Sequence, residues 1–156
     1  MELKQKVLAA ETGMLIRRPI AEVFDAFIDP AITTKFWFTH STGKLAPGKE
    51  ITWSWEMYNV RTSITVKEIA PNNKIVINWE NGGSTTRVVW TFEKFGEHST
   101  FVNIVNDGFT GDAETIQARV KDSVGGFCWV LAGCKAYLEH NIQLNLIADR
   151  FPAGKH

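Results

Sequence analysis

The hydrophobic pattern changes period twice along the chain, and each change marks a new kind of element. Thr12 to Arg18 reads as a strand, and Pro19 then suits the first turn of a helix, where its missing N–H costs nothing. Ile20, Val23, Phe24 and Phe27 fall at i, i+3, i+4 and i+7, the spacing of one apolar helix face. Asp29-Pro30 breaks that helix, and a second short helix is predicted to carry Ile32, Phe36 and Trp37. From Lys49 to Phe109 the period becomes two. Ile51, Trp53, Trp55 and Met57 alternate with Thr52, Ser54 and Glu56, a half-buried strand of unusual bulk. Tyr58-Asn59 predicts a turn, Ser63 to Ile69 a strand, Pro71-Asn72-Asn73 a turn, Lys74 to Glu80 a strand and Asn81-Gly82-Gly83 a loop. Thr86, Val88, Trp90 and Phe92 alternate with Arg87, Val89, Thr91 and Glu93 within a strand from Thr85 to Phe95. Phe95-Gly96-Glu97 turns the chain into a last strand, His98 to Val105.

The final third returns to helical spacing. Thr110-Gly111-Asp112 offers a cap, and Ile116, Val120, Val124, Phe127, Leu131, Cys134, Leu138 and Ile142 recur every three or four residues. That is a continuous stripe along a helix of about thirty residues. Gly125-Gly126 interrupts it, at about 1 kcal/mol per glycine in a helix interior. Close packing on a strand, a kink, or a junction of two helices would each account for the pair. A twisted meander has one concave apolar face, and a lone striped helix is its natural partner. The expected fold is therefore α+β of the helix-grip type. About six antiparallel strands wrap around a long C-terminal helix, and two short helices follow the first strand. No repeat or linker divides the chain, so residues 1–156 read as a single domain with its core at about 12–151.

Charge and composition narrow the function classes. Seventeen basic and seventeen acidic side chains cancel, which leaves no electrostatic footprint for nucleic acid or an anionic membrane. Met1 to Ala10 alternates charged and apolar residues, unlike a signal peptide, and no run approaches the length of a membrane span. A cytoplasmic protein is expected. Cys128 and Cys134 lie on one helix, separated by about 120° and about 9 Å, too far for a disulfide. No nearby Cys or His completes a metal set, and both thiols read as small buried hydrophobes. Neither metal nor cofactor is expected, because no Ser-His-Asp, H-E-x-x-H, phosphate-loop or dinucleotide fingerprint occurs.

The order strand, two short helices, meander, long helix resembles the START/Bet v 1-like superfamily, also called polyketide-cyclase-like or SRPBCC. "IRRPIAEVFDAFIDPAITTKFW", "GKEITWSWEM", "VKEIAPNNKIVINW" and "GGFCWVLAGCKAYLEH" are similar to segments of one bacterial branch. That branch is related to the C-terminal domain of the activator of the 90-kDa heat-shock protein's ATPase. The resemblance implies a cavity fold whose members bind lipids, hormones or polyketides, with cyclases or hydrolases in a few subfamilies. It brings no shared catalytic motif. The eukaryotic co-chaperone engages its chaperone through a separate N-terminal domain for which this chain has no room, so chaperone stimulation is not expected.

Six Trp, ten Phe and two Tyr are concentrated on strand positions, where bulky rings either interlock solidly or line a pocket. Trp37, Trp53, Trp55, Trp79, Phe127 and Leu131 are the cavity candidates, with Trp90 and Trp129 assigned to core packing. His40 in "FTHSTG", Glu56 and Asp107 are the polar candidates, His40 because loops on rigid scaffolds carry function and its imidazole titrates near neutrality. By parity Glu56 shares the solvated face of Thr52 and Ser54, and Arg87 the outer face with Thr91 and Glu93. The first functional expectation is a binding module for an apolar or amphipathic small molecule. The alternatives are a cavity enzyme of the cyclase or hydrolase kind using His40, Glu56 or Asp107, and a protein-interaction domain. In the last case "LNLIADRFP" would pack on a partner, including a second copy of the chain as a homodimer.

Overall fold

A computed structural model describes residues 8–81 and 83–153, so Met1 to Val7, and Gly82 of the anticipated glycine loop, lie outside the described residues. Strand β1 (Ala10–Ile16) is followed by helix α1 (Ile20–Ile28), for which Pro19 is the N-cap residue. Asp29 ends α1 and starts α2 (Pro30–Thr33), its carboxylate accepting the Ala31 N–H at 3.0 Å. β2 (His40–Ser41), β3 (Glu50–Trp55), β4 (Val60–Ala70), β5 (Lys74–Asn81), β6 (Ser84–Lys94) and β7 (Thr100–Asp107) come next, then α3 (Ala113–His140) and a short α4 (Leu146–Arg150).

Among the described residues seven strands form one antiparallel sheet in the order β1-β7-β6-β5-β4-β3-β2. The first strand lies at one edge, with Ala10 opposite Asn106 and Ile16 opposite Thr100. Helices α1 and α2 carry the chain from that edge to the other. Alternation puts Ile51, Trp53 and Trp55 of β3, Ile75 and Ile77 of β5, Val88, Trp90 and Phe92 of β6, and Val102 and Ile104 of β7 on the concave face, all buried. Phe127, Val130, Leu131 and Cys134 of α3 close over them at i, i+3, i+4 and i+7. The helix-grip arrangement is the one expected, with one strand more.

The differences have local causes. β2 stands where the sequence predicts a loop; it exists because Thr39, His40, Ser41 and Thr42 zip onto β3, with His40 opposite Ser54. Arg17 leaves β1 because its N–H donates to Glu139 instead of a strand. α2 stops at Thr33, and Phe36 and Trp37 follow it in a turn whose N–H groups return to the Thr33 carbonyl. β3 ends at Trp55, where a 3-10 turn (Glu56–Tyr58) closes on Asn59 in the left-handed region, leaving Met57 exposed. α3 runs unbroken through Gly125-Gly126, and a Cβ at either would meet nothing within 4 Å, so neither a helix junction nor strand packing explains the pair. The close approach is at Gly133, where a Cβ would lie 3.2 Å from Phe36 Cβ. α3 ends at Asn141 in the left-handed region, placing Ile142 outside it and exposed. Cys128 and Trp129 are exposed, so Trp129 is not core and Cys128 is not a buried hydrophobe; the Cys128 sulfur lies at the sheet's edge, 3.1 Å from Thr12 Oγ1 of β1. Cys134 is buried, which pushes its thiol far up and keeps it protonated.

Candidate functional site

The sheet and α3 meet tightly at one end and part at the other. At the tight end Trp37 is the hub of an aromatic cluster, its ring centroid 4.9 Å from Trp53, 5.8 Å from Trp79, 6.1 Å from Trp90 and 5.8 Å from Phe127. Phe38 stacks on Trp53 at 4.7 Å, and Trp55 stacks on Trp79 at 6.0 Å. These rings are close enough to gain from edge and offset contacts beyond their burial.

Toward the N-terminal end of α3 the helix presents Ser123 and Gly126, residues too small to fill the space between helix and sheet. A cavity of about 490 Å³ opens there. Trp37, Trp79, Phe127 and Val130 form its apolar part, Thr86, Asn106 and Ser123 its polar part, and Ser84, Phe109, Arg119, Asp122, Gly126 and Ile147 complete the lining. Asn106 continues the inward series Thr100, Val102, Ile104 and is itself 6% exposed. Its Nδ2 donates to the Arg87 carbonyl at 2.9 Å, and its Oδ1 accepts the Ser123 hydroxyl at 2.8 Å, tying α3 to the sheet inside the cavity. Thr86 stands opposite Trp79 in the ladder. Arg119 Nη1 donates to Ser84 Oγ at 3.2 Å, while Asp122 makes no ion pair among the described residues.

Of the candidates read from sequence, the structure brings Trp37, Trp79 and Phe127 together in this lining. Trp53, Trp55 and Leu131 are outside it: Phe38 and the neighbouring tryptophans pack around Trp53 and Trp55, and Leu131 is fully buried in the core. The three polar candidates are also elsewhere. His40 is exposed on the edge strand, and Glu56 is exposed on the 3-10 turn with its N–H bonded to Thr39 Oγ1 at 2.9 Å. Asp107 ends β7 opposite Arg87, one position out of phase with the concave face. The polar residues that do line the cavity were missed. Parity would have found Asn106, since Val102 and Ile104 set the inward phase and Asn106 keeps it. Trp90 is core, and its Nε1 is the one buried side-chain polar atom without a partner among the described residues.

Two polar ties hold the cavity's frame. Glu139 Oε2 accepts the Arg17 N–H at 3.0 Å and Lys135 Nζ at 2.6 Å, and Lys135 Nζ also donates to the Leu15 carbonyl at 2.8 Å, fixing α3 on β1. Burial pushes the Glu139 carboxyl up, but those hydrogen bonds and the charges of Lys135 and His140 outweigh it and leave it below its ordinary value. At the other end the Tyr58 hydroxyl donates to the carbonyls of Ile147 and, at 3.2 Å, Ala148, and accepts the Phe151 N–H at 3.3 Å. That bond set holds Ile147 against the cavity. A smaller hollow of about 210 Å³, lined in part by Phe36, Met57, Gly133 and Leu144, lies beneath the same segment. No described helix is long and apolar enough to cross a membrane.

Comparison with known proteins fits this geometry. The pattern of the family described as "Activator of Hsp90 ATPase homolog 1-like protein" matches residues 17–139. No curated protein sequence matches the chain. Among solved structures, protein SSP2350 from Staphylococcus saprophyticus is similar at 26% identity and a TM-score of 0.75, over 88% of this chain and 96% of that one. The Aha1 dimer from Colwellia psychrerythraea is similar at 16% identity and a TM-score of 0.70, over 85% and 97%. DynU16, a putative protein in the dynemicin biosynthetic locus, shares the fold at 17% identity and a TM-score of 0.77; the match covers 86% of this chain and 48% of DynU16.

Proposed function

Since the chain belongs to the activator of Hsp90 ATPase homolog 1-like family of the START/Bet v 1-like superfamily, we propose that it is a single-domain cytoplasmic receptor for an amphipathic small molecule. The observation that carries this reading is the cavity of about 490 Å³ between sheet and helix, aromatic on one side and hydrogen-bonding on the other. Small-molecule sites have this size, about 300–1,000 Å³, and this mixture of apolar walls with a few placed polar groups. The cyclase or hydrolase alternative draws no support from His40, Glu56 or Asp107, none of which lines the cavity.

Native mass spectrometry of protein purified from its own host tests the proposal. Wild type is expected to carry a mass excess that denaturation removes, and Gly126→Leu, which fills the cavity, is expected to lack it. An apo mass for wild type, together with no displaceable dye binding, would count against a receptor.

Self-association has its own observation. Met57 and Leu144, 41% and 46% exposed, border the smaller hollow beside Phe151, which packs on Tyr58. The similar Colwellia protein was solved as a dimer. Sedimentation at micromolar concentration is expected to show twice the chain mass if this apolar face is an interface, and a Met57→Glu, Leu144→Glu variant to return it to monomer.

A further inference from the structure

Resting on the receptor reading above, we infer that the ligand is an uncharged aromatic compound bearing a hydrogen-bond acceptor, a carbonyl oxygen on a ring system. Three features of the cavity converge on that class. The first is the lining formed by Trp37, Trp79 and Phe127, whose centroids lie 5.8 to 6.2 Å from one another. At this spacing the three rings pack on one another, and the aromatic surface they turn to the cavity favours a planar aromatic guest over a flexible chain, because offset and edge contacts add to burial.

The second feature is the hydrogen-bonding capacity left on the polar wall. The Ser123 proton is spent on Asn106 Oδ1, and one Asn106 amide proton on the Arg87 carbonyl. The second Asn106 N–H has no partner among the described residues, and neither does the Thr86 hydroxyl. Both residues line the cavity. Asn106 pairs with Val88, so Thr86 is its diagonal neighbour on the same face, about 7–8 Å away along the backbone and closer between side chains. Two spare donors on one wall call for an acceptor on the ligand, since a donor left unmatched in a filled pocket loses its water for nothing.

The third is charge. Arg119 and Asp122 line the same cavity from one turn of α3, and their fields oppose each other. An anionic head attracted by Arg119 is repelled by Asp122, and a cation meets the reverse. A neutral polar group escapes both costs.

Fluorescence titration with three naphthalene probes tests this. Prodan is a neutral naphthyl ketone, dimethylaminonaphthalene is its parent without the ketone, and anilinonaphthalene sulfonate is an anion. Wild type is expected to bind prodan about tenfold more tightly than the parent, the worth of a matched neutral hydrogen bond. Asn106→Leu and Thr86→Val are each expected to reduce that preference, weakening prodan more than the parent. Thr86→Val keeps the side chain's shape and carries the test if Asn106→Leu fails to fold. Equal binding of prodan and parent, equal weakening of both by the variants, or tighter binding of the sulfonate would overturn the ligand class while leaving a receptor in place. Failure of all three probes to bind would overturn the receptor reading itself.

Discussion

Trp53 and Trp90 are each 1% exposed, yet their surroundings give them different weight. Trp53 stacks on Phe38 and touches Trp37 and Trp79, so Trp53→Ala opens a large hole in the cluster. A loss of about 3–5 kcal/mol is expected in urea unfolding. Trp90 buries an N–H with no partner among the described residues, and Trp90→Phe removes that uncompensated desolvation while giving up some contact. The two effects oppose each other, and stability is expected to stay within about 1 kcal/mol of wild type. Glu139 adds a pH-dependent contribution. Its carboxyl lies below the ordinary 4.5 in the folded protein, so its stabilisation is complete above that value and fades as pH falls through the folded one. Glu139→Gln is expected to cost about 1 kcal/mol at neutral pH, and the gap from wild type to close in acid, measured by urea titration at both ends. At this scale, strand parity put the tryptophans of β3, β5 and β6 on the concave face. It could not separate rings that fill from rings that line, because that depends on Phe38 and Trp37 arriving from a segment far along the chain.

Helix α3 shows what periodicity reports and what it omits. The stripe from Ile116 to Leu138 was legible because 3.6-residue spacing is intrinsic to any buried helix face. The meaning of its glycines was not, since a glycine records missing volume without saying what needs it. Gly125 faces open space, so Gly125→Ala is expected to raise stability by about 0.5–1 kcal/mol through the unfolded chain's entropy. A Cβ at Gly133 would lie 3.2 Å from Phe36 Cβ and 3.3 Å from its carbonyl oxygen, and Gly133→Ala is expected to lower the melting temperature because the Phe36 segment must give way. Opposite signs from one substitution on one helix check the packing directly. The missed strand β2 is the same lesson in the sheet. His40-Ser41 has no alternation of its own and becomes a strand only by pairing with Ser54 and Trp53.

For the molecule as a whole, the order of elements was sufficient to read the sheet wrapped on its helix, while the cavity's position was not, because it arises where two layers diverge. The C-terminal segment shuts one side of it through Tyr58. Tyr58→Phe removes the hydroxyl shared by Ile147, Ala148 and Phe151, and amide exchange over residues 146–151 is expected to accelerate while the sheet's protection holds. The sheet order has a consequence for how the chain is made. β1 is made before the other described strands, but the one strand it pairs with among the described residues, β7, follows roughly a hundred residues later. Closing so large a loop returns little until the meander exists to receive it. The nascent chain therefore carries its first strand unpaired through most of synthesis, and the seam between the two becomes the last stitch of the sheet. Until then β7 presents a free edge, and a neighbouring nascent chain's β1 fits it as well as its own, which is the geometry of a swapped dimer.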